Sequence, residues 1–468
     1  MPQAVKFNPQ IFREYDLRGK DSELTDAAVQ AIGSAYATML RRKNKGAKFV
    51  TVGRDIRTSS ERIKNALVRG ITACGIDVID LGLSPTPMLY YSIIKLKSAG
   101  GINVTGSHNP VGMNGLKINI GEVTIYGGEI QKLREMIENS DFDLTEAGKE
   151  GNATEKDLVQ TYIDEICSRV KLKRKLKIVV DAGNGMASEI APKLLRKLGC
   201  EVIPLYCKLD GTFPNHLPDP TQVPFVQDLI ALVKSEKADL GLGFDGDVDR
   251  TGVIDENGKI VWADRIMMLF AREILSREKG AQIIFDVKCS QALPEVIEAN
   301  GGRPLMWKTG HSLSKAKLRE TGAPISGEMS GHIFFKDRWL GFDDGFYVAA
   351  RFLEILAAGN KTVSEIMGEF PEYFSTPEIR LDYSEEKKFE FVEKAKKEFG
   401  SDKGLKIIDI DGVRVLYPRG WALLRASNTQ AKIILRFEAK TAAGLAEIKN
   451  DFMRRLNKFS EKKLELKD

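Results

Sequence analysis

Short apolar runs alternate with stretches of helical period along most of this chain, and the rhythm restarts more than once. Alternation of this kind predicts parallel sheets with helices on both faces. In the first unit Val29, Ile32, Tyr36 and Met39/Leu40 recur at helical spacing before the strand Phe49–Val52. Thr58-Ser-Ser-Glu61 reads as a capping box, opening a helix whose apolar face is Ile63, Leu67 and Ile71. Strands follow at Val78–Leu81 and Ile102–Thr105, with a helix over Met88–Lys97 between them.

A polar stretch from Glu138 to Asp157 marks a boundary. The second unit reads as helix Val159–Val170, strand Lys177–Asp181, helix Ser188–Leu198, strand Val202–Tyr206, helix Phe225–Ser235 and strand Leu240–Phe244. The hairpin Gly252–Trp262, turning at Glu256-Asn-Gly258, leads to a third unit. Its elements are helix Asp264–Ser276, strands Ile283–Val287 and Leu305–Trp307, and helix Asp344–Leu356. After Pro371 and Pro377 the pattern changes to a helix at Glu385–Phe399, strands near Ile407–Ile410, Val413–Leu416 and Ile433–Glu438, and a terminal helix from Leu445. This predicts three similar α/β units and a smaller α+β domain, with Lys458–Lys467 as a solvated helix end.

Composition excludes several function classes. The 468 residues can bury several cores. The 70 Lys+Arg nearly balance 65 Asp+Glu, so the net +5 is no concentrated footprint for nucleic acid. Met1–Phe12 has no basic stretch followed by an apolar one, so no secretory signal is expected. The most apolar run, Phe346–Ala358, contains Arg351 and Glu354 and reads as a buried helix, not a membrane span. Cys74, Cys167, Cys200, Cys207 and Cys289 are odd in number and lack CxxC spacing, which points to a reducing cytoplasm.

Polar clusters carry the chemistry. All four histidines (His108, His216, His311 and His332) lie in loop-like stretches. Thr105-Gly-Ser-His-Asn-Pro110 follows a strand, where open α/β sheets bind ligands, and an exposed Ser107 can act as a nucleophile. Asn109 stands where a hydrolase elbow needs glycine. In Phe244-Asp-Gly-Asp-Val-Asp-Arg250 the carboxylates of Asp245, Asp247 and Asp249 repel one another unless a hard cation joins them, Mg²⁺ being favoured. Arg250 occupies the place of the glycine of an EF-hand loop. Gly327-Glu-Met-Ser-Gly-His332 offers a carboxylate, a hydroxyl and an imidazole to sugar hydroxyls. Arg425-Ala-Ser-Asn-Thr429 could cradle a phosphate. Basic residues also stand at Arg18, Lys117, Lys288 and the Lys308–His311 segment.

Taken together and in this order, these motifs closely resemble the α-D-phosphohexomutase superfamily, in particular its bacterial phosphomannomutase/phosphoglucomutase type. The resemblance runs from Tyr15 to Glu438. It implies a four-domain, heart-shaped α/β architecture: residues 1–153 with the phosphoserine loop, 154–256 with the metal loop, 257–368 with the sugar loop, and 369–468 as the α+β phosphate-binding domain. The implied reaction interconverts hexose 1-phosphate and hexose 6-phosphate, of mannose, glucose or both. It passes through a phosphoserine and a hexose 1,6-bisphosphate that turns around. Glucose 1,6-bisphosphate would serve as activator.

By the same resemblance, Ser107 carries the phosphoryl group and, with Asp245, Asp247 and Asp249, ligates Mg²⁺. Lys117 and His332 match proton-transfer residues, and Arg18 and Arg250 match basic residues of the transfer site. Tyr15, His108, Lys288, His311, Glu328, Met329, Ser330 and Gly331 match substrate contacts, as do Arg425, Ala426, Ser427, Asn428 and Thr429. The basic members are expected to converge on one cleft, and Lys117, as a base, to have a lowered pKa. A cytoplasmic monomer acting on small phosphosugars is expected, without nucleic acid or membrane. Two departures stand out: Gln430-Ala431 after the phosphate loop, and Leu217 where histidine is commoner. Phosphoglucosamine mutase is the nearest alternative, though Met329 replaces its usual glutamine. A Mg²⁺-dependent sugar phosphatase and a non-catalytic sugar-phosphate binder are more distant ones.

Overall fold

A computed structural model describes residues 6–428 and 431–466. They pack as two compact units. The first holds the chain up to Ala263 together with Lys315–Ile325 and Ser330–Ile366. The second holds Asp264–Ser314, Ser326–Met329 and the chain from Met367 onward. Among the described residues no helix is long and apolar enough to cross a membrane.

The first unit contains two sheets. One runs in the order Leu17–Lys20, Met113–Ile120, Gly100–Val104, Phe49–Arg54, Asp77–Leu83 and Ala153–Glu155. Its centre is parallel, as the alternation predicts. Its far side is not: Met113–Ile120 returns antiparallel to Gly100–Val104, with Lys117 opposite Asn103. The reason is the short turn Thr105–Gly112, which leaves no room for the crossover that a parallel partner requires. The sheet is therefore mixed, a correction to the all-parallel expectation. At the other edge, Ala153–Glu155 lies inside the polar stretch taken as a boundary and pairs with Asp77–Leu83.

The second sheet follows the order Ile260–Val261, Thr251–Asp255, Leu240–Phe244, Lys177–Asp181, Glu201–Leu205. The expected hairpin forms its antiparallel end. The helix Gly345–Ala357 is buried along most of its length, and Arg351 within it is fully enclosed. Arg351 reaches Asp337 at 3.0 Å and Glu354 at 3.2 Å, so its charge is paired where it is buried.

The capping box at Thr58 does not form. The helix is Ser60–Thr72, its N-cap is Ser59, and no side chain caps it. The Ser60 hydroxyl bonds instead to Asp55, and Glu61 lies 3.6 Å from Arg54. Ile63, Leu67 and Ile71 face the core as predicted.

In the second unit Gln282–Asp286 and Arg303–Trp307 pair in parallel. The crossover helix between them, Ala292–Ala299, was not anticipated because it is only two turns long. The C-terminal sheet is antiparallel, in the order Phe374–Ser375, Lys432–Ala439, Gly420–Ala426, Val413–Tyr417, Lys406–Ile408. Gly420–Ala426 is its unforeseen central strand. Helices Lys388–Gly400 and Ala442–Leu456 cover it through Phe391, Phe399 and Phe452. The chain leaves the helix at Leu456, so the described part of the Lys-rich tail is no helix end. Leu464 is buried there and its N–H donates to Asn457 Oδ1.

One close approach locks two helices of the first unit together. Helices Asp26–Lys43 and Ser60–Thr72 cross at glycine, where a Cβ on Gly70 would lie 2.0 Å from Gln30 O. The Ser34 hydroxyl also donates to Gly70 O at 3.0 Å. Backbone on both sides leaves no flexible group to yield, so Gly70→Ala forces the helices apart. We expect a destabilisation of at least ~2 kcal/mol, read as a lowered urea midpoint, whereas an exposed helix glycine replaced by alanine would stabilise.

Candidate active site

The first unit gathers one cluster around the strand ends. Ser107 sits in the turn after Gly100–Val104, with its backbone left-handed at φ +48°. For a residue with a Cβ this costs roughly 1–2 kcal/mol, so its surroundings must impose it. Its N–H donates to Thr105 Oγ1 at 2.9 Å. Its hydroxyl donates to Asp245 Oδ2 at 3.0 Å and lies 3.0 Å from His108 Nδ1.

Asp245, Asp247 and Asp249 follow the buried strand Leu240–Phe244 and are themselves buried. The loop that carries them is tight. Val248 is left-handed at φ +67°, an outlier for a β-branched residue, and a Cβ on Gly246 would lie 2.3 Å from Ser107 O. The two loops therefore touch backbone to backbone.

Three carboxylates at this range repel strongly out of water. Burial, then Asp249 and Asp247, push the Asp245 carboxyl well up. Asp249 goes the other way: burial would raise it, but Lys117, His332 and Arg250 hold it well below the usual range. Lys117 Nζ donates to Asp247 Oδ2 at 2.6 Å and also to Asp249. Burial alone would lower the Lys117 ammonium. Asp247 and Asp249 more than reverse that and raise it, correcting the expectation of a lowered lysine pKa.

Arg250 Nε donates to His332 Nε2 at 2.9 Å. The His332 proton therefore belongs on Nδ1, which lies 3.1 Å from Asp343 Oδ2. Asp343 is in turn 3.2 Å from the buried Lys315 Nζ, which also donates to Tyr90 Oη at 2.8 Å. Arg18 lies on the strand Leu17–Lys20, beside Met113–Ile120 which carries Lys117, and its Nε donates to Asp16 at 2.7 Å. Tyr15 is buried and Ser330 is partly exposed in this unit. Gly331 turns at φ +96° against Arg250.

The donor set fits a hard cation. Ligand atoms of Asp245, Asp247 and Asp249 lie within 4.8 Å of one another. Asp247 Oδ1 and Asp249 Oδ1 are buried and accept no hydrogen bond. Orphaned carboxylate oxygens in a dry site carry a desolvation cost that a divalent cation would remove.

The second unit gathers the remaining residues. Lys288 Nζ donates to Glu378 Oε2 at 2.9 Å and lies 3.7 Å from Asp286. Burial would lower its pKa, but Glu378 and Asp286 raise it. Glu328 Oε1 accepts from Gly310 N at 3.0 Å and Ser314 Oγ at 2.9 Å. Met329 N donates to Asp286 Oδ1, and His311 is buried at the start of the helix His311–Thr321. Arg425, next to Ala426 at the end of the strand Gly420–Ala426, pairs with Asp411 at 3.1 Å. Ser427 is buried and Asn428 partly so. Thr429 and Gln430 lie outside the described residues; Ala431 O accepts from Tyr383 N.

Two further residues noted in the sequence are held locally. His216 lies 3.1 Å from Asp181, and Leu217 offers its carbonyl to Asp219 N; Pro218 between them borders the aspartate loop, its Cγ 3.3 Å from where a Cβ on Gly246 would lie. Conversely, no motif points to Thr86, which donates to Asp247, to Asp343 beside His332 and its partner Lys315, or to the fully buried Lys388, which donates to Ser427 O at 2.6 Å. Nothing in a linear motif marks partners 28 to 161 positions away; a buried lysine on an otherwise apolar helix face is the one available signal.

Known proteins agree across the chain. Four family models match in order, described as phosphoglucomutase/phosphomannomutase α/β/α domain I over residues 9–144, domain II over 160–258, domain III over 262–374, and the C-terminal domain over 378–455. A phosphomannomutase/phosphoglucomutase of Pseudomonas aeruginosa is 47% identical over 455 residues, 97% of each chain. A phosphoglucomutase of Neisseria meningitidis is 45% identical, covering 94% of this chain and 95% of that one. The crystal structure of a phosphoglucomutase/phosphomannomutase family protein from Burkholderia thailandensis superposes with a TM-score of 0.90 at 44% identity, covering 97% and 98%. Matched over nearly its whole length, with the four domains in order, the chain belongs to the phosphoglucomutase/phosphomannomutase family of isomerases.

Proposed function

We propose that this enzyme converts hexose 1-phosphate and hexose 6-phosphate into one another through a phosphorylated Ser107, acting on both mannose and glucose phosphates. The observation that carries the reading is the Ser107 hydroxyl directed at Asp245 in a turn held against its backbone preference, with the Lys117 charge fixed on Asp247 of the same aspartate loop. In this reading residues 1–153, 154–256, 257–368 and 369–468 act as four domains, each supplying one loop. The enzyme works as a cytoplasmic monomer on small phosphosugars.

In the forward half-reaction the Oγ–P bond of phosphoserine-107 breaks as a bond forms from phosphorus to the sugar 6-hydroxyl oxygen. The hydroxyl proton passes to His332 Nε2, whose hydrogen bond from Arg250 Nε opens to free the lone pair, while Asp343 faces the proton on Nδ1. The hexose 1,6-bisphosphate then turns around and returns its 1-phosphate to Ser107, leaving hexose 6-phosphate. Lys117, held protonated, supplies fixed positive charge and a proton for the departing oxygen; Arg18 and Arg250 add to that charge. Asp245, Asp247 and Asp249, with a phosphate oxygen on Ser107, would hold Mg²⁺, which offsets charge on the transferring group when bound. Tyr15, His108, Lys288, His311 and the 328–331 segment contact the sugar. The loop from Arg425 to Thr429 grips the phosphate that is not being transferred, at either end of the sugar.

Incubation with glucose 1,6-bisphosphate is expected to add the mass of one phosphoryl group to the intact protein, and Ser107→Ala to gain none and to lose turnover. A Ser107→Ala variant with full activity would refute the phosphoserine. Asp247→Asn is expected to weaken Mg²⁺ activation by about tenfold or more, read from the metal concentration at half-maximal rate. With glucosamine 6-phosphate assayed beside the mannose and glucose esters, preference for the amino sugar would reverse the substrate assignment.

A further inference from the structure

The turn that carries Ser107 is gripped from beneath by one side chain. Arg57 is 4% exposed and follows the strand Phe49–Arg54 by three residues. Its Nη2 donates to Ser107 O at 2.8 Å and Asn109 O at 2.5 Å. Its Nη1 donates to Pro110 O at 2.9 Å and Met113 O at 3.1 Å. The guanidinium also lies 5.1 Å from the Phe213 ring centre, and Nε is 3.4 Å from Asp55 Oδ2. Asp55 ties the other side of the same turn, accepting from Gly106 N at 2.9 Å and from Arg57 N at 3.0 Å. A Cβ on Gly106 would lie 2.4 Å from Arg57 Nε. That glycine therefore answers to the arginine and not only to the turn.

A guanidinium is suited to this task. It presents its donors in a rigid planar fork, and here four carbonyls within seven residues converge on two of its nitrogens. Lysine would keep the charge but lose the fork. Because Ser107 is left-handed, its turn does not hold itself; the carbonyls at Ser107 and Asn109 are where the constraint is applied.

We infer that Arg57 is a positioning residue for phosphoryl transfer, fixing the direction of Ser107 Oγ by holding the Ser107 carbonyl and the backbone that follows it. The inference rests on the reading of Ser107 as the phosphoryl carrier. Arg57 itself touches neither sugar nor phosphate in this account. Its loss therefore acts on the geometry of transfer, where a displacement of about 1 Å costs on the order of a hundredfold, and not on substrate affinity.

The test compares Arg57→Lys with the wild type in steady-state kinetics, thermal unfolding and hydrogen exchange over residues 105–113. We expect kcat to fall by about tenfold to a hundredfold, with KM within about twofold and faster exchange confined to that segment. Thr105→Val, which removes only the acceptor of the Ser107 N–H, is expected to give the same kcat-against-KM split in smaller degree, and decides the matter should Arg57→Lys not fold. Wild-type kcat, a loss shared equally by KM, or unchanged exchange over 105–113 would each overturn the inference. Intact mass after glucose 1,6-bisphosphate separates the two claims: a wild type that takes up no phosphate removes the phosphoserine reading, while exchange over 105–113 still judges the grip.

Discussion

Three buried carboxylates within reach of one another cannot persist without positive charge, and the first unit is arranged around that requirement. Asp247 and Asp249 are met by Lys117, and Asp249 and Asp245 by Arg250 at 3.9 and 3.8 Å. Leaving one member of such a set unpaired costs about 3–5 kcal/mol. The pairing reaches outward: Arg250 fixes His332, His332 faces Asp343, and Asp343 is balanced by Lys315. Each charge is satisfied by the next, so the side chains with chemistry to perform are also the ones that cannot move freely.

The same demand shapes the backbone. Ser107 and Val248 both take left-handed conformations, and Gly246 lets the second loop lie against the Ser107 carbonyl. Such strain persists only where the surroundings over-determine it. Here they do, through Asp55, Arg57 and Thr105 on one loop and through Asp245, whose Oδ1 accepts from Arg250 N, on the other. A nucleophile held this way does not reorganise when the reaction begins, which is where preorganised sites gain their rate.

The second unit applies the same rule to cations. Lys288 is answered by Glu378, Arg425 by Asp411, and Arg436 by Asp264. Lys388 is completely enclosed yet donates to the Ser427 carbonyl and Glu385, tying the end of the strand Gly420–Ala426 to the helix Lys388–Gly400. Trp421 lies between Arg414 and Arg436 with its indole N–H on Glu438, joining this sheet to the backbone at Val287 and Cys289 through Arg414.

The sequence by itself determined the repeated α/β rhythm, most strand and helix positions, and the loops that carry chemistry, because periodicity and short motifs are local. Lys177–Asp181 and Leu240–Phe244 were legible to the residue, since both are buried on two faces around apolar centres, Ile178–Val180 in one and Leu240, Leu242 and Phe244 in the other. Gly420–Ala426 and the antiparallel Met113–Ile120 were not, because strand direction depends on the partner and not on composition. Tertiary structure alone decided the carboxylate partners of Lys117, the tautomer of His332 and the grip of Arg57. Each is set by groups brought from distant positions into low dielectric, where a carboxylate a few ångströms away outweighs the residue's intrinsic chemistry.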